Sequence, residues 1–152
     1  MPRIIHGDLL KADAHVLVNA VNCVGVMGGG LALAFKKSYP QMFRDYAHAC
    51  RNGEVVAGGK PHTWPLDKTH YIYNFPTKDH WKDPSRIEWV SKGLVHLRDF
   101  CDNFDKTKKF APTVALPPLG CGLGGLDWDD VKPVTEEAFK GYAGAVTVYF
   151  YP

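Results

Sequence analysis

Residues 15–38 read HVLVNAVNCVGVMGGGLALAFKKS, and this stretch decides the class of fold. His15 to Val21 is a short apolar run rich in valine, the pattern of a strand buried on both faces. Gly25, Gly28, Gly29 and Gly30 follow it, and Leu31 to Ser38 then reads as a helix that stops before Pro40. Strand, glycine loop and helix in that order make one βα unit.

The arrangement recurs near the other end of the chain. Thr113-Val114-Ala115-Leu116 is a second buried strand, followed by Gly120, Gly122, Gly124 and Gly125 and then a helix from about Trp128 to Lys140. Asp127 is placed to cap that helix, with Asp129 and Asp130 near its positive end. Around these units, Ile4-Ile5, His62-Thr63-Trp64, Tyr71 to Phe75 and Val146 to Phe150 read as strands, and Gln41 to Arg51 as a helix. Ser85 stands three residues before Glu88, which predicts a capping box opening a long helix. Its apolar stripe is Ile87, Val90, Leu94, Leu97 and Cys101. The alternation predicts an α/β protein with three layers, α/β/α, around a central mixed, mostly parallel sheet, with residues 1–152 as a single domain.

Composition narrows the function classes. The 152 residues carry a net charge of only +2, so the chain is not a nucleic-acid-coating protein. No apolar run approaches the ~20 residues of a bilayer-spanning helix, and Met1-Pro2-Arg3-Ile4 leads into a strand and not into a signal peptide. A cytoplasmic monomer is expected. Cys23, Cys50, Cys101 and Cys121 show no metal-binding spacing, the seven histidines lack an H-E-x-x-H pair, and neither metal nor cofactor is expected.

Eight of the 15 glycines lie in the two loops. Each loop follows a strand end, where open α/β sheets bind ligands, and backbone N–H groups beside a helix start suit phosphate. Glycines there also simply permit tight turns. Gly120, Gly122 and Gly125 satisfy G-x-G-x-x-G, but no acidic residue ends a strand about 20 residues on, so a dinucleotide-binding dehydrogenase does not fit. Gly53 to Lys60 misses a P-loop, because Pro61 stands where Ser or Thr is required.

Taken together, Gly7-Asp8-Leu9, Val18-Asn19-Ala20-Val21-Asn22 leading to Gly28-Gly29-Gly30, and Leu116-Pro117-Pro118-Leu119-Gly120-Cys121-Gly122-Leu123-Gly124 resemble the macrodomain family over essentially the whole chain. Asn74-Phe75-Pro76-Thr77-Lys78 and Leu123-Gly124-Gly125-Leu126-Asp127-Trp128 look most like its DarG-type branch, antitoxins that remove ADP-ribose from thymidine in single-stranded DNA. A sister branch cleaves ADP-ribose from protein glutamates.

The resemblance implies an ADP-ribose site. Asp8 would accept from the adenine amino group, beside Leu9, and Tyr149 would stack on adenine; a turn role for Asp8 and plain packing for Tyr149 are the alternatives. Gly28, Gly29, Gly30 and Leu31 would hold the diphosphate together with Gly120, Cys121, Gly122, Leu123 and Gly124. Asn19 is included among the contacts. Asn22, counted with Lys78 among the catalytic residues, would bond the distal ribose or the group attached to it; organising its loop is the alternative. Lys78 would be catalytic, acting on the anomeric carbon of that ribose, either as an amine nucleophile or through its charge. His80 is a candidate for proton transfer, or a solvated histidine.

Two departures qualify the match. The sister branch carries an acid where this chain has Gly124, and many relatives carry a basic residue where it has Gly29. The implied partners are ADP-ribosylated single-stranded DNA and a cognate ADP-ribosyltransferase toxin. The rival functions are hydrolysis of ADP-ribose from protein glutamate or of O-acetyl-ADP-ribose, and a non-catalytic ADP-ribose-binding module.

Overall fold

The computed structural model describes residues 2–151. Six strands, β1 (Arg3–His6), β2 (Val16–Val21), β3 (His62–Pro65), β4 (Tyr71–Pro76), β5 (Val114–Leu116) and β6 (Val146–Phe150), form one sheet in the order β1-β6-β5-β2-β4-β3. All neighbours are parallel except β3, which runs antiparallel to β4 at the edge. Four helices connect them: α1 (Gly30–Ser38), α2 (Pro40–Arg51), α3 (Ile87–Lys108) and α4 (Trp128–Ala138). The mixed, mostly parallel sheet between two helical layers is the predicted architecture. Among the described residues no helix is long and apolar enough to cross a membrane.

Strand periodicity explains the layers. Val16 and Val18 of β2 join Tyr73, Phe75, Val114, Leu116 and Val148 against Val90, Leu94 and Leu97 of α3 and Val131 of α4. Leu17 and Val21, one step out of phase, join Ile72 and Ala115 against Phe35 of α1 and Met42 and Tyr46 of α2. Each fully buried large apolar side chain contributes roughly 1.5–3 kcal/mol relative to exposure, so both faces of β2 are fixed by burial.

This layering positions the site. The chain leaving β2 turns to the α1/α2 face, whereas the chain leaving β5 turns to the α4 face. Between β2 and β5 the connections therefore diverge, opening a crevice at the carboxyl ends of the strands.

The start of α3 differs from expectation. Its N-cap is Arg86, with no side-chain cap, and the Ser85–Glu88 box does not form. Ser85 is instead drawn beneath the second glycine loop, its N–H donating to the Gly124 carbonyl at 2.9 Å. A tertiary bond has displaced a local one. By contrast, Asp127 caps α4 as expected, accepting from the Asp129 N–H at 2.9 Å. That helix ends at Ala138, two residues short of the predicted Lys140.

Candidate active site

The crevice is a cleft of about 970 Å³ over the carboxyl ends of β6, β5, β2 and β4. Both glycine loops line it. Among its lining residues the charged ones are Lys78 and Lys82, with no carboxylate, which suits an anionic ligand.

Strand order fixes the order of subsites. At one end lie Leu9, which follows β1, and Tyr149 and Tyr151 on and after β6. Gly120 to Gly124 after β5 and Gly28 to Leu31 after β2 occupy the middle. Thr77, Lys78, Trp81 and Lys82 after β4 close the other end. Three interstrand steps separate β6 from β4, about 14–15 Å at the usual spacing, enough to hold an extended two-phosphate ligand.

Gly30 opens α1 with φ +55, and Gly29 before it is the cap, so the positive end of this helix points at the cleft. Opposite, residues Gly122–Gly124 form one turn of 3-10 helix flanked by Gly120 at φ +75 and Gly125 at φ +81. A Cβ at Gly120 would also lie 2.6 Å from Leu126 Cδ1, so this position needs glycine twice over.

Gly124 is required for a different reason. Its φ is not in the left-handed region, yet a Cβ there would lie 2.5 Å from Ser85 Oγ and 3.1 Å from Ser85 Cβ. The hydroxyl of Ser85 is buried and finds no hydrogen-bond partner. The space that a side chain at 124 would enter is thus filled by Ser85.

Lys78 stands two residues beyond β4 in a segment tied down at both ends. The Thr77 N–H donates to the Val21 carbonyl at 3.0 Å, and the Cys23 N–H to the Asp79 carbonyl at 2.7 Å. Ser85, at the far end of the segment, is held by Gly124. Lys78 is half-buried, and its Nζ donates to the Trp81 carbonyl at 3.1 Å in an exposed hydrogen bond. The lysine is therefore presented from an anchored turn, next to the loop that follows β2.

Asn22 lines the cleft, but its carboxamide is heavily engaged. Oδ1 accepts from the Val24 and Val26 N–H groups and the Tyr46 hydroxyl, and Nδ2 donates to the Val26 carbonyl. It shapes the loop from 22 to 26, which is the second of its expected roles. Asp8 stands beside the cleft wall, capping the short 3-10 turn Leu9–Lys11 by accepting from Leu10 N–H at 3.0 Å. One carboxylate oxygen serves that cap.

Asn19 is not among the residues that line the cleft. It is fully buried in the sheet, its Nδ2 donating to Asn74 Oδ1 at 3.1 Å and lying 3.8 Å from Met27 Sδ. Facing the α1/α2 layer, it cannot reach a ligand in the cleft. Asn74 continues this buried polar chain to His62 and Asp45. His80 likewise stays off the cleft wall, its Nδ1 accepting the Lys82 N–H at 3.1 Å.

The remaining expected contacts, Leu9, Gly28, Gly29, Gly30, Leu31, Gly120, Cys121, Gly122, Leu123, Gly124 and Tyr149, share the one cleft with Lys78 and Asn22. Burial pushes the Cys121 thiol up to about 11, so it meets a ligand as a neutral thiol. All four cysteines are free, and among the described residues no cluster of His, Cys, Asp and Glu could hold a metal ion. Sequence reasoning missed Trp81 and Tyr151, two aromatic rims in stretches without periodicity. Their only signal was an aromatic placed just past a strand end.

The model of the Macro domain family matches residues 18–135. A Mycobacterium tuberculosis protein named DNA ADP-ribosyl glycohydrolase is 45% identical over 148 residues, which cover 96% of this chain and 41% of that protein. The chain thus spans about two-fifths of the length of such curated relatives. Among solved structures, the macrodomain of Thermus aquaticus DarG matches with a TM-score of 0.85 and 41% identity, covering 100% of this chain and 99% of that one. Thermosipho africanus DarTG in complex with ADP-ribose matches with a TM-score of 0.82 and 32% identity, covering 98% of this chain and 41% of that one.

Proposed function

The chain belongs to the macrodomain family, and on that ground we propose that it is a DNA ADP-ribosyl glycohydrolase, removing ADP-ribose from thymidine in single-stranded DNA. One observation carries the reading: Lys78, anchored by the Trp81 carbonyl, stands at the end of a cleft whose middle is built from two glycine loops. The relatives named for this activity match nearly all of the chain.

The subsite order supports one direction for the ligand. Adenine lies at the β1/β6 end against Tyr149, the diphosphate between the glycine loops, and the distal ribose at Lys78. Lys78 Nζ attacks the anomeric carbon, the base nitrogen leaves with the bonding pair and takes up a proton, and an imine joins Lys78 to the opened ribose. Water then adds to the imine and releases ADP-ribose, restoring the amine.

DNA is favoured over protein glutamate because the resemblance implies an acid at 124 in the protein-directed branch, whereas this chain has glycine there and Ser85 fills the space a side chain would enter. Hydrolysis of an ADP-ribosylated oligonucleotide, an auto-modified protein and O-acetyl-ADP-ribose should be measured side by side. Turnover is expected on the oligonucleotide. Preferential release from the protein would reverse the assignment. A cognate ADP-ribosyltransferase toxin is part of the same proposal, supported by the fused partner implied in the name of a 33% identical Thermosipho africanus protein, "DNA ADP-ribosyl transferase-DNA ADP-ribosyl glycohydrolase fusion protein".

The adenine assignment makes its own prediction. Asp8→Asn keeps an oxygen to cap the 3-10 turn but turns a donor toward the adenine amino group. Its affinity for ADP-ribose should fall roughly tenfold or more, the scale of a lost charged hydrogen bond, with unchanged thermal stability. Asp8→Ala should lose both cap and ligand contact. Calorimetric titration with ADP-ribose and a melting curve check both; full affinity in Asp8→Asn would remove Asp8 from the site.

A further inference from the structure

We propose that Trp81 and Lys82 form a platform for the nucleotide adjacent to the modified one, with the indole stacking on its base and the lysine pairing with its phosphate. This deepens the DNA reading and rests on it.

Trp81 is 49% exposed although it lines the cleft, an unusual placement for the largest side chain in a folded domain. Lys82, Asp83 and Pro84, which follow it, are exposed as well. Lys82 Nζ lies 5.2 Å from the Trp81 ring centroid, and the His80 ring lies 5.4 Å away on a plane tilted by 33°. The turn is held from within, the Lys82 N–H donating to His80 Nδ1 at 3.1 Å and the Asp83 N–H to the His80 carbonyl at 3.0 Å. With Asp79 tied to Cys23 and Ser85 to Gly124, this exposed aromatic is also pre-positioned.

Its location selects the occupant. The adenine end of the cleft is on the far side of both glycine loops, so the indole is not needed there. What projects beyond Lys78 is whatever the ribose was attached to, and in a single strand the next group along is an unpaired base with its phosphate. An aromatic face beside a cation is the pairing that single-stranded nucleic acid uses, tolerant of base identity. A platform of this size also answers the small net charge: one stacked base and one phosphate suffice, because ADP-ribose supplies the rest of the grip.

The test compares two substrates, ADP-ribosylated thymidine as a nucleoside and the same nucleoside inside a short single-stranded oligonucleotide. Wild type should favour the oligonucleotide in kcat/KM, mainly through KM. In Trp81→Ala that preference should shrink about tenfold, with Trp81→Phe recovering most of it; the ratio cancels any effect of the substitution on the shared chemistry. Lys82→Gln should lower the salt dependence of the oligonucleotide reaction by about one phosphate contact, a slope change of ~0.7, and leave the nucleoside's unchanged. Equal efficiency on both wild-type substrates, or an unchanged ratio in Trp81→Ala, overturns the platform alone. An equal loss on an auto-modified protein would also overturn it, since the ring would then not be reading a base. Hydrolysis of neither substrate by wild type overturns the glycohydrolase reading with it.

Discussion

Lys78→Ala is expected to abolish release of ADP-ribose from DNA, by a factor of about 10³ or more, while ADP-ribose still binds. Removing the attacking group takes away the route through the imine, and positioned charge of this kind is itself worth 10²–10³ in other active sites. Binding should survive because the contacts proposed for adenine and diphosphate lie along the two glycine loops and the β1/β6 end, in other parts of the cleft from the lysine. Lys78→Arg separates nucleophile from charge. A guanidinium keeps the positive charge but cannot act as the amine, so the mechanism predicts that it is as inactive as alanine. Borohydride added during wild-type turnover should trap an adduct on Lys78, visible by mass spectrometry. An arginine variant with substantial activity would instead assign Lys78 an electrostatic role.

Gly124 carries the second large effect. Gly124→Glu, which restores the acid of the protein-directed branch, should lower ADP-ribose affinity at least tenfold and destabilise the fold by about 1–3 kcal/mol, the usual cost of overpacking. The cause is Ser85, whose Oγ would lie 2.5 Å from the new Cβ. The bond from Ser85 N–H to the Gly124 carbonyl holds the two residues together. Because Gly124 does not sit at positive φ, the obstacle is Ser85 alone. The double variant Gly124→Glu with Ser85→Gly should therefore recover much of both losses, a coupling detectable in a double-mutant cycle. If Gly124→Glu binds ADP-ribose normally, or Ser85→Gly rescues nothing, Ser85 does not determine this position.

The legible parts of the sequence were those in which local and global demands agree. In β2 the apolar run is buried on both faces, and the glycines after it are needed where the chain turns into α1, so one reading satisfies both. The helix cap at Asp127 is equally local. Ser85 misled because its capping pattern is real but a loop almost 40 residues away competes for the same residue. Asn19 misled differently: it sits in the family's motif, but strand alternation turns it toward the α1/α2 layer, where it joins Asn74. Asn22 was ambiguous in sequence, since loop-shaping and ligand-binding asparagines look alike until the Val26 and Tyr46 bonds are seen. Trp81 lay in an irregular stretch held in place by tertiary hydrogen bonds, which leave no periodic trace.

The most direct test of the central claim is release of ADP-ribose from a single-stranded oligonucleotide modified on thymidine, with substrate in excess over protein and both products separated by chromatography. The account predicts many equivalents of free ADP-ribose per protein, an equal amount of unmodified oligonucleotide, and no release by Lys78→Ala. Tight ADP-ribose binding without release from this or any other ADP-ribosylated substrate would contradict it, and would make the chain an ADP-ribose-binding module.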